Sequence, residues 1–202
     1  FNTNLDTGVT TSAKAPTQPY RIIYGETRVG GTIVFAETTS ATNEFLHIVY
    51  VMAGHEVDAI DEIYLNDDEV SLETTSNDAN GIPIFTPTSS DQYAGKLQIK
   101  KHLGNDDQVA DATLVSALSN WTTNHRIQGK AYIYARFSFD SDVYPNGVPN
   151  LSAIIKGKKC FDPRATSFTA SSGTVSTSNN TITISSHGLS THDRAKYDVN
   201  GN

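Results

Sequence analysis

The chain has 202 residues, a hydrophobic fraction of 37% and a formal net charge of −7. That length supports one good core and part of a second, and the charge argues against a general nucleic-acid binder, which needs clustered cations to meet phosphates. No apolar run approaches the roughly 18 residues of a spanning helix, and the single cysteine, Cys160, leaves no internal disulfide.

Residues 1–19 are polar, carry Thr and Pro and lack periodicity, so they read as an extended arm or linker. The segment Tyr20 to Phe35, YRIIYGETRVGGTIVF, then reads as a tight hairpin. Gly30-Gly31 supply the two positive-φ positions of a two-residue turn, pairing Val29 with Thr32 and Arg28 with Ile33. Gly25, inside the first arm, marks a bulge or a close backbone approach.

From Glu44 to Ala53 both alternating sets are largely apolar, the pattern of a strand covered on both faces. His47 in its middle reads as a satisfied core or interface histidine; no Cys, His or carboxylate sits at i±2 to make it a metal ligand. Glu62 to Leu65 forms a strand turning at Asn66-Asp67-Asp68-Glu69 into Val70-Ser71-Leu72. That acidic tip lacks the alternating carboxylates and closing Glu of a calcium loop, so it reads as a solvated turn. Glu73 to Asp91 reads as loop, and Lys96 to His102 as a strand.

One segment has helical character. Asn105-Asp106-Asp107 offer capping oxygens, and Leu114, Val115, Leu118 and Trp121 form a stripe that would lie across a sheet. Trp121 could serve as a sugar-stacking platform, but it completes the stripe, which favours a core role. Gly129 to Asp140 is the clearest strand. It sets Ala131, Ile133, Ala135, Phe137 and Phe139 against Tyr132, Tyr134, Arg136 and Ser138. The second face reads either as a contact surface between protein chains or as a sheet face packed under a loop. Leu151 to Ile155 is a further strand, with a turn at Lys156-Gly157 and a return over Lys158 to Phe161. The basic cluster Lys156, Lys158 and Lys159 suits either an acidic partner or a solvated turn.

After Arg164 Ser and Thr dominate, and TITISSHGLS and AKYDVNGN suggest short strands of a separate module over 165–202. The chain opens on Phe1 and stops after a turn-like Asp198 to Gly201, so it reads as a piece of a longer polypeptide, with this module incomplete. The class is mainly β with one packed helix (α+β): a β-rich domain over 20–164, then the start of a small Ser/Thr-rich β module.

No nucleophile-elbow, zincin, P-loop or dinucleotide motif appears, and no cofactor is implied. Cys160 reads as a small buried hydrophobe. His187, His192 and Asp193 could ligate zinc if their loop folded back, though turn residues are the commoner explanation. Three Asn-x-Ser/Thr triplets are unspecific in so Ser/Thr-rich a chain.

Taken together, these segments resemble the tail-tip or host-specificity (tail hub) proteins of lambda-like siphophages and their prophages. The resemblance rests on Arg21-x-x-Tyr24-Gly25 leading to Gly30-Gly31, an Ile-Asp-Glu-Ile-Tyr strand at Ile60 to Tyr64 with its acidic turn, and Trp121-Thr122. It continues through Gly129-x-Ala-Tyr132, Gly147-x-Pro149, Gly157-Lys-Lys and Asp162-Pro163-Arg164, and covers about residues 17–164. It implies a structural, non-enzymatic role at the distal end of the tail. Hub domains assemble there as a trimeric ring and contact tail-tube, tail-tip or fibre proteins. The residues above would be structural motif positions, with Tyr132, Tyr134 and Arg136 as possible interface. The alternative is a carbohydrate- or receptor-binding module of a phage adhesin, with Trp121, Tyr132 or Tyr134 as stacking rings.

Overall fold

The computed structural model describes residues 19–159, 175–176, 178–179 and 181–183. The chain divides into two compact units, Phe1–Lys159 and Cys160–Asn202. The described part of the second unit is an antiparallel ladder between Val175–Ser176 and Thr181–Ile182. The first is mainly β with one short helix, as its alternating apolar pattern implies.

Its strands are β1 (Glu26–Gly30), β2 (Thr32–Thr39), β3 (Phe45–Ala53), β4 (Ala59–Leu65), β5 (Asp68–Glu69), β6 (Leu72–Asn77), β7 (Pro83–Pro87), β8 (Leu97–His102), β9 (Ala131–Ser138) and β10 (Leu151–Lys156). They form a six-stranded sheet in the order β2-β3-β9-β8-β7-β6 and a four-stranded sheet in the order β1-β10-β4-β5. Every ladder is antiparallel.

The expected Gly30-Gly31 hairpin does not form. β1 pairs with β10 in one sheet and β2 with β3 in the other, so the chain steps between sheets at Gly31. Neither glycine takes a positive φ. What requires glycine at 31 is packing, since a Cβ there would stand 2.6 Å from Tyr50 Cβ and 2.9 Å from Met52 Sδ. β-branched residues flanking Gly-Gly suit a corner between sheets as well as a hairpin, because both need an extended approach and exit.

The two sheets face each other across one core. Val29, Ile60, Ile63, Leu65, Leu151, Ala153 and Ile155 of the smaller sheet meet Ile48, Tyr50, Met52, Leu97, Ile99, Ile133, Ala135 and Phe137 of the larger. The opposite face of the larger sheet is also covered. Val49, Val51, Tyr132 and Tyr134 pack against Leu114, Leu118 and Trp121, joined by Phe35, Val115 and Ile127. β3 is therefore buried on both faces, as its doubly apolar pattern implies.

The helix, α1 (Ala112–Ala117), is shorter than the 105–121 stripe suggests and is capped by Asp111, whose side chain accepts from Leu114 N. Asn105 to Asp107 lie ahead of it in turn and irregular backbone. Residues 73–91 are not loop, since they contain most of β6 and all of β7. β6 is an edge strand whose side chains after Leu72 are exposed, so it carries no apolar alternation to read. β7 begins and ends on proline, which suits a strand whose register with β8 is the single pair Phe85 with Ile99.

The acidic tip is a two-residue turn at Asn66-Asp67, with φ of 51° and 75°, closing β4 onto β5. Beyond β10 the chain does not fold back at Lys156-Gly157. Lys158 instead bridges Tyr24 in parallel, with Gly25 N donating to Lys158 O at 2.9 Å and Gly157 N to Gly25 O at 2.8 Å. Gly25 has a φ of +67° with open space beside it, so it is a conformational glycine and not a close approach. No helix among the described residues is long and apolar enough to cross a membrane.

Gly157 lies where a Cβ would be 2.3 Å from Ile23 O, a backbone atom with no rotamer to yield. Gly157→Ala is therefore expected to lower stability more than Gly31→Ala, whose overpacking should cost about 1–3 kcal/mol. Urea denaturation of both variants measures this, and equal midpoints would contradict the placement.

Candidate functional site

β8 carries Lys100, Lys101 and His102 into the larger sheet, and Lys100 organises the polar interior. Lys100 alternates away from Leu97 and Ile99, so its side chain enters the face covered by α1. It is wholly buried, with Nζ 2.8 Å from Asp78 Oδ2 and 2.6 Å from Asp111 Oδ2. His102, two residues on and on the same face, places Nε2 2.9 Å from the same Asp111 oxygen. A buried charge persists only when paired and hydrogen-bonded, and these partners meet that condition.

Each carboxylate also ties down backbone. Asp78 Oδ1 accepts from Asn80 N and Ile82 N, both at 2.9 Å, shaping the β6–β7 turn. Asp111 Oδ1 caps α1. One lysine thus fastens a hairpin turn and a helix start to the central sheet.

Aromatic rings extend the network. Tyr132 stacks on His102 with centroids 4.1 Å apart, and Lys100 Nζ lies 5.4 Å from the Tyr134 ring centre. Tyr134 Oη is 2.8 Å from His47 Nδ1, and His47 Nε2 is 2.8 Å from Thr39 Oγ1. Both nitrogens of His47 are thereby satisfied inside the protein, the core role expected from sequence.

Several expected positions change meaning. Tyr132 and Tyr134 have no exposed surface and Trp121 is 4% exposed, so these rings are core and not a contact face or stacking platform. Trp121 packs edge-on to Phe35 at 4.9 Å. Arg136 is half-buried, 5.1 Å from the centre of the Phe45 ring. Tyr24 is exposed, Pro149 is buried just ahead of β10, and Gly129 takes a φ of +67°. Of the basic cluster, Lys156 pairs with Asp61 at 2.6 Å and Lys159 with Asp58 at 2.9 Å. Asp162, Pro163, Arg164, Cys160, His187 and His192 lie outside the described residues.

Lys100, Asp78 and Asp111 belong to no motif that stands out in the sequence. The available signal was a lysine inside a strand at the register of a buried face, with a matching acid at each of two turns.

A second feature is an open cleft of about 630 Å³ lined by His55, Glu56, Asp58, Gly104, Asp106 and Lys158 among others. His55 is committed to structure. Its Nε2 accepts from Ile23 N at 2.8 Å and its Nδ1 donates to Glu56 O at 2.5 Å. Among the described residues no group of three His, Cys, Asp or Glu side chains is placed to hold a metal ion. The Lys100 arrangement is one of fastening, with its polar groups buried and paired to one another.

Burial opposes ionisation of Asp111, but hydrogen bonds from His102 and Lys100 together with the Lys100 charge outweigh it and hold its carboxyl below the usual range; Asp78 behaves likewise through Lys100 and backbone donors. Burial, aided by Arg136, likewise depresses His47. All three groups bind protons more weakly folded than unfolded, so their stabilisation is full above the unfolded pKa values and is lost as pH falls through the folded ones. Stability should begin to fall below about pH 6.5 through His47 and more steeply below about pH 4 through the aspartates. Lys100→Met, which strands two buried carboxylates, should cost about 3–5 kcal/mol at pH 7 and flatten the acid limb. Thermal melts across pH measure both, and an unchanged acid limb would contradict the network.

No family model matches the sequence, and no curated protein matches it. Among solved structures, the chain is similar to one in the virion of a native gene transfer agent (GTA) particle, with a TM-score of 0.50 and 14% identity. The match covers 73% of this chain and 28% of that one, so this chain spans less than a third of its neighbour's length. At that identity the likeness is one of fold.

Proposed function

We propose that the chain is a structural component of a phage-type virion. Within it, the chain belongs to the tail-tip hub that closes the distal tube and joins it to host-recognition elements. The observation that carries this reading is the fold shared, over 73% of the chain, with a protein of the gene transfer agent virion. The order of sequence motifs from Arg21 to Gly157 supports the hub in particular. In this role the chain acts by fitting against copies of itself, as a trimer, and against tube, tip or fibre proteins. No bond is made or broken.

The adhesin alternative loses its physical basis with the rings that were to bind sugar. Trp121, Tyr132 and Tyr134 are all inside the core, and a stacking platform needs an accessible ring face.

The test is cryo-electron microscopy of intact particles carrying an epitope tag in the exposed Asn124 to Arg126 turn. Threefold density at the distal end of the tail is the expected result. Label on the head, or none in purified particles, would overturn the reading.

A further inference from the structure

Residues 20–24 alternate with period two. Arg21 and Ile23 turn inward, Arg21 Nη1 donating to Gly30 O, while Tyr20, Ile22 and Tyr24 are 58%, 62% and 60% exposed. Isolated exposed apolar residues are ordinary, but three in one row form a patch that asks for a cover. One cation touches it through its side chain, and a second, the exposed Lys158, adjoins it through its backbone. Lys130 Nζ lies 5.0 Å from the Tyr20 ring centre, and Lys158 bridges Tyr24. Neither has a salt-bridge partner among the described residues.

The opposite end of the same sheet carries the complement. β10 pairs Lys156 with Ala59 and Glu26 at the row's end and Leu151 with Leu65 at the other, beside the Asn66-Asp67 turn. The length of β10 separates the two, on the order of 17 Å at ~3.3 Å per residue. At this far end a pocket of about 190 Å³ lies between Asp68, the rings of Tyr93 and Tyr144, and Pro149. Asp68 and Glu69 are exposed and carry no ion pair among the described residues, and Val148 adds exposed apolar surface beside them.

We propose that the Tyr20–Ile22–Tyr24 row docks on the β5 end of a second copy of this chain. A tyrosine of the row fills the pocket against Tyr93 and Tyr144, its hydroxyl donating to Asp68, while Lys130 and Lys158 meet Asp68 and Glu69. An aromatic anchor in a pocket with a charged rim is the arrangement that concentrates binding energy at protein interfaces. Because the two surfaces differ and sit at opposite ends, the contact is head-to-tail, which closes into a ring if its rotation permits. The inference specifies the self-contact within the assembly reading above.

The test is sedimentation equilibrium of the 202-residue chain and three variants, with near-ultraviolet circular dichroism as the check of fold. Lys130→Glu with Lys158→Glu, and separately Asp68→Lys with Glu69→Lys, should each weaken self-association at least tenfold. Combining all four reversals should restore it, an outcome that general loss of structure cannot produce. A monomeric parent chain would overturn the proposal, as would association indifferent to either reversal. So would a monomer whose Tyr20 and Tyr24 resist surface labelling, since the chain's own residues 1–18 would then be the cover. Reversals without effect in a chain still found at the tail tip would sink this contact alone; the expected reversals in a chain absent from particles would sink the virion reading alone.

Discussion

Lys100 is the interaction on which the rest of the first unit depends. A cation inside a sheet is tolerated only if anions come to it, and the anions that come are Asp78 in the β6–β7 turn and Asp111 at the start of α1. Their arrival folds the 105–127 segment over the second face of the larger sheet. Once that cover is down, Val49, Val51, Tyr132 and Tyr134 are core and β3 and β9 are shielded on both sides. Apolar burial supplies the bulk of the driving force, while the ion network sets where the cover lies.

That placement buries the rings on which a stacking role would depend. A β9 face bearing two tyrosines and an arginine looks, in sequence, like a surface for a sugar or a partner. Covered by α1 and Trp121, it offers nothing to a ligand. Among the described residues the exposed aromatic side chains lie elsewhere, on the 20–24 segment and at Phe139.

Much of the architecture is legible in the sequence where burial imposes a period. β3, β8, β9 and β10 fall where alternating or doubly apolar runs place them, β4 starts three residues ahead of its expected Glu62, and His47 is a core histidine. Other features escape for identifiable reasons. β6 lacks any apolar alternation because its side chains meet water. The Gly30-Gly31 step is locally indistinguishable from a hairpin, since the choice between folding back and crossing over is made by distant partners, β10 and β3. Of the Lys100 network the sequence shows a lysine at the register of a buried face; its pairing with Asp78 and Asp111 is not legible, because the three share no local motif and meet only through the fold.

The most direct measurement of this account uses Trp121, the chain's single tryptophan. Buried between Phe35 and the sheet beneath α1, it should fluoresce well to the blue of indole in water, resist quenching by iodide, and remain unchanged when glycans are added. Emission at the wavelength of solvated indole, quenched readily by iodide, would show the second face of the sheet open. It would return the aromatic face of β9 to the surface and contradict the account.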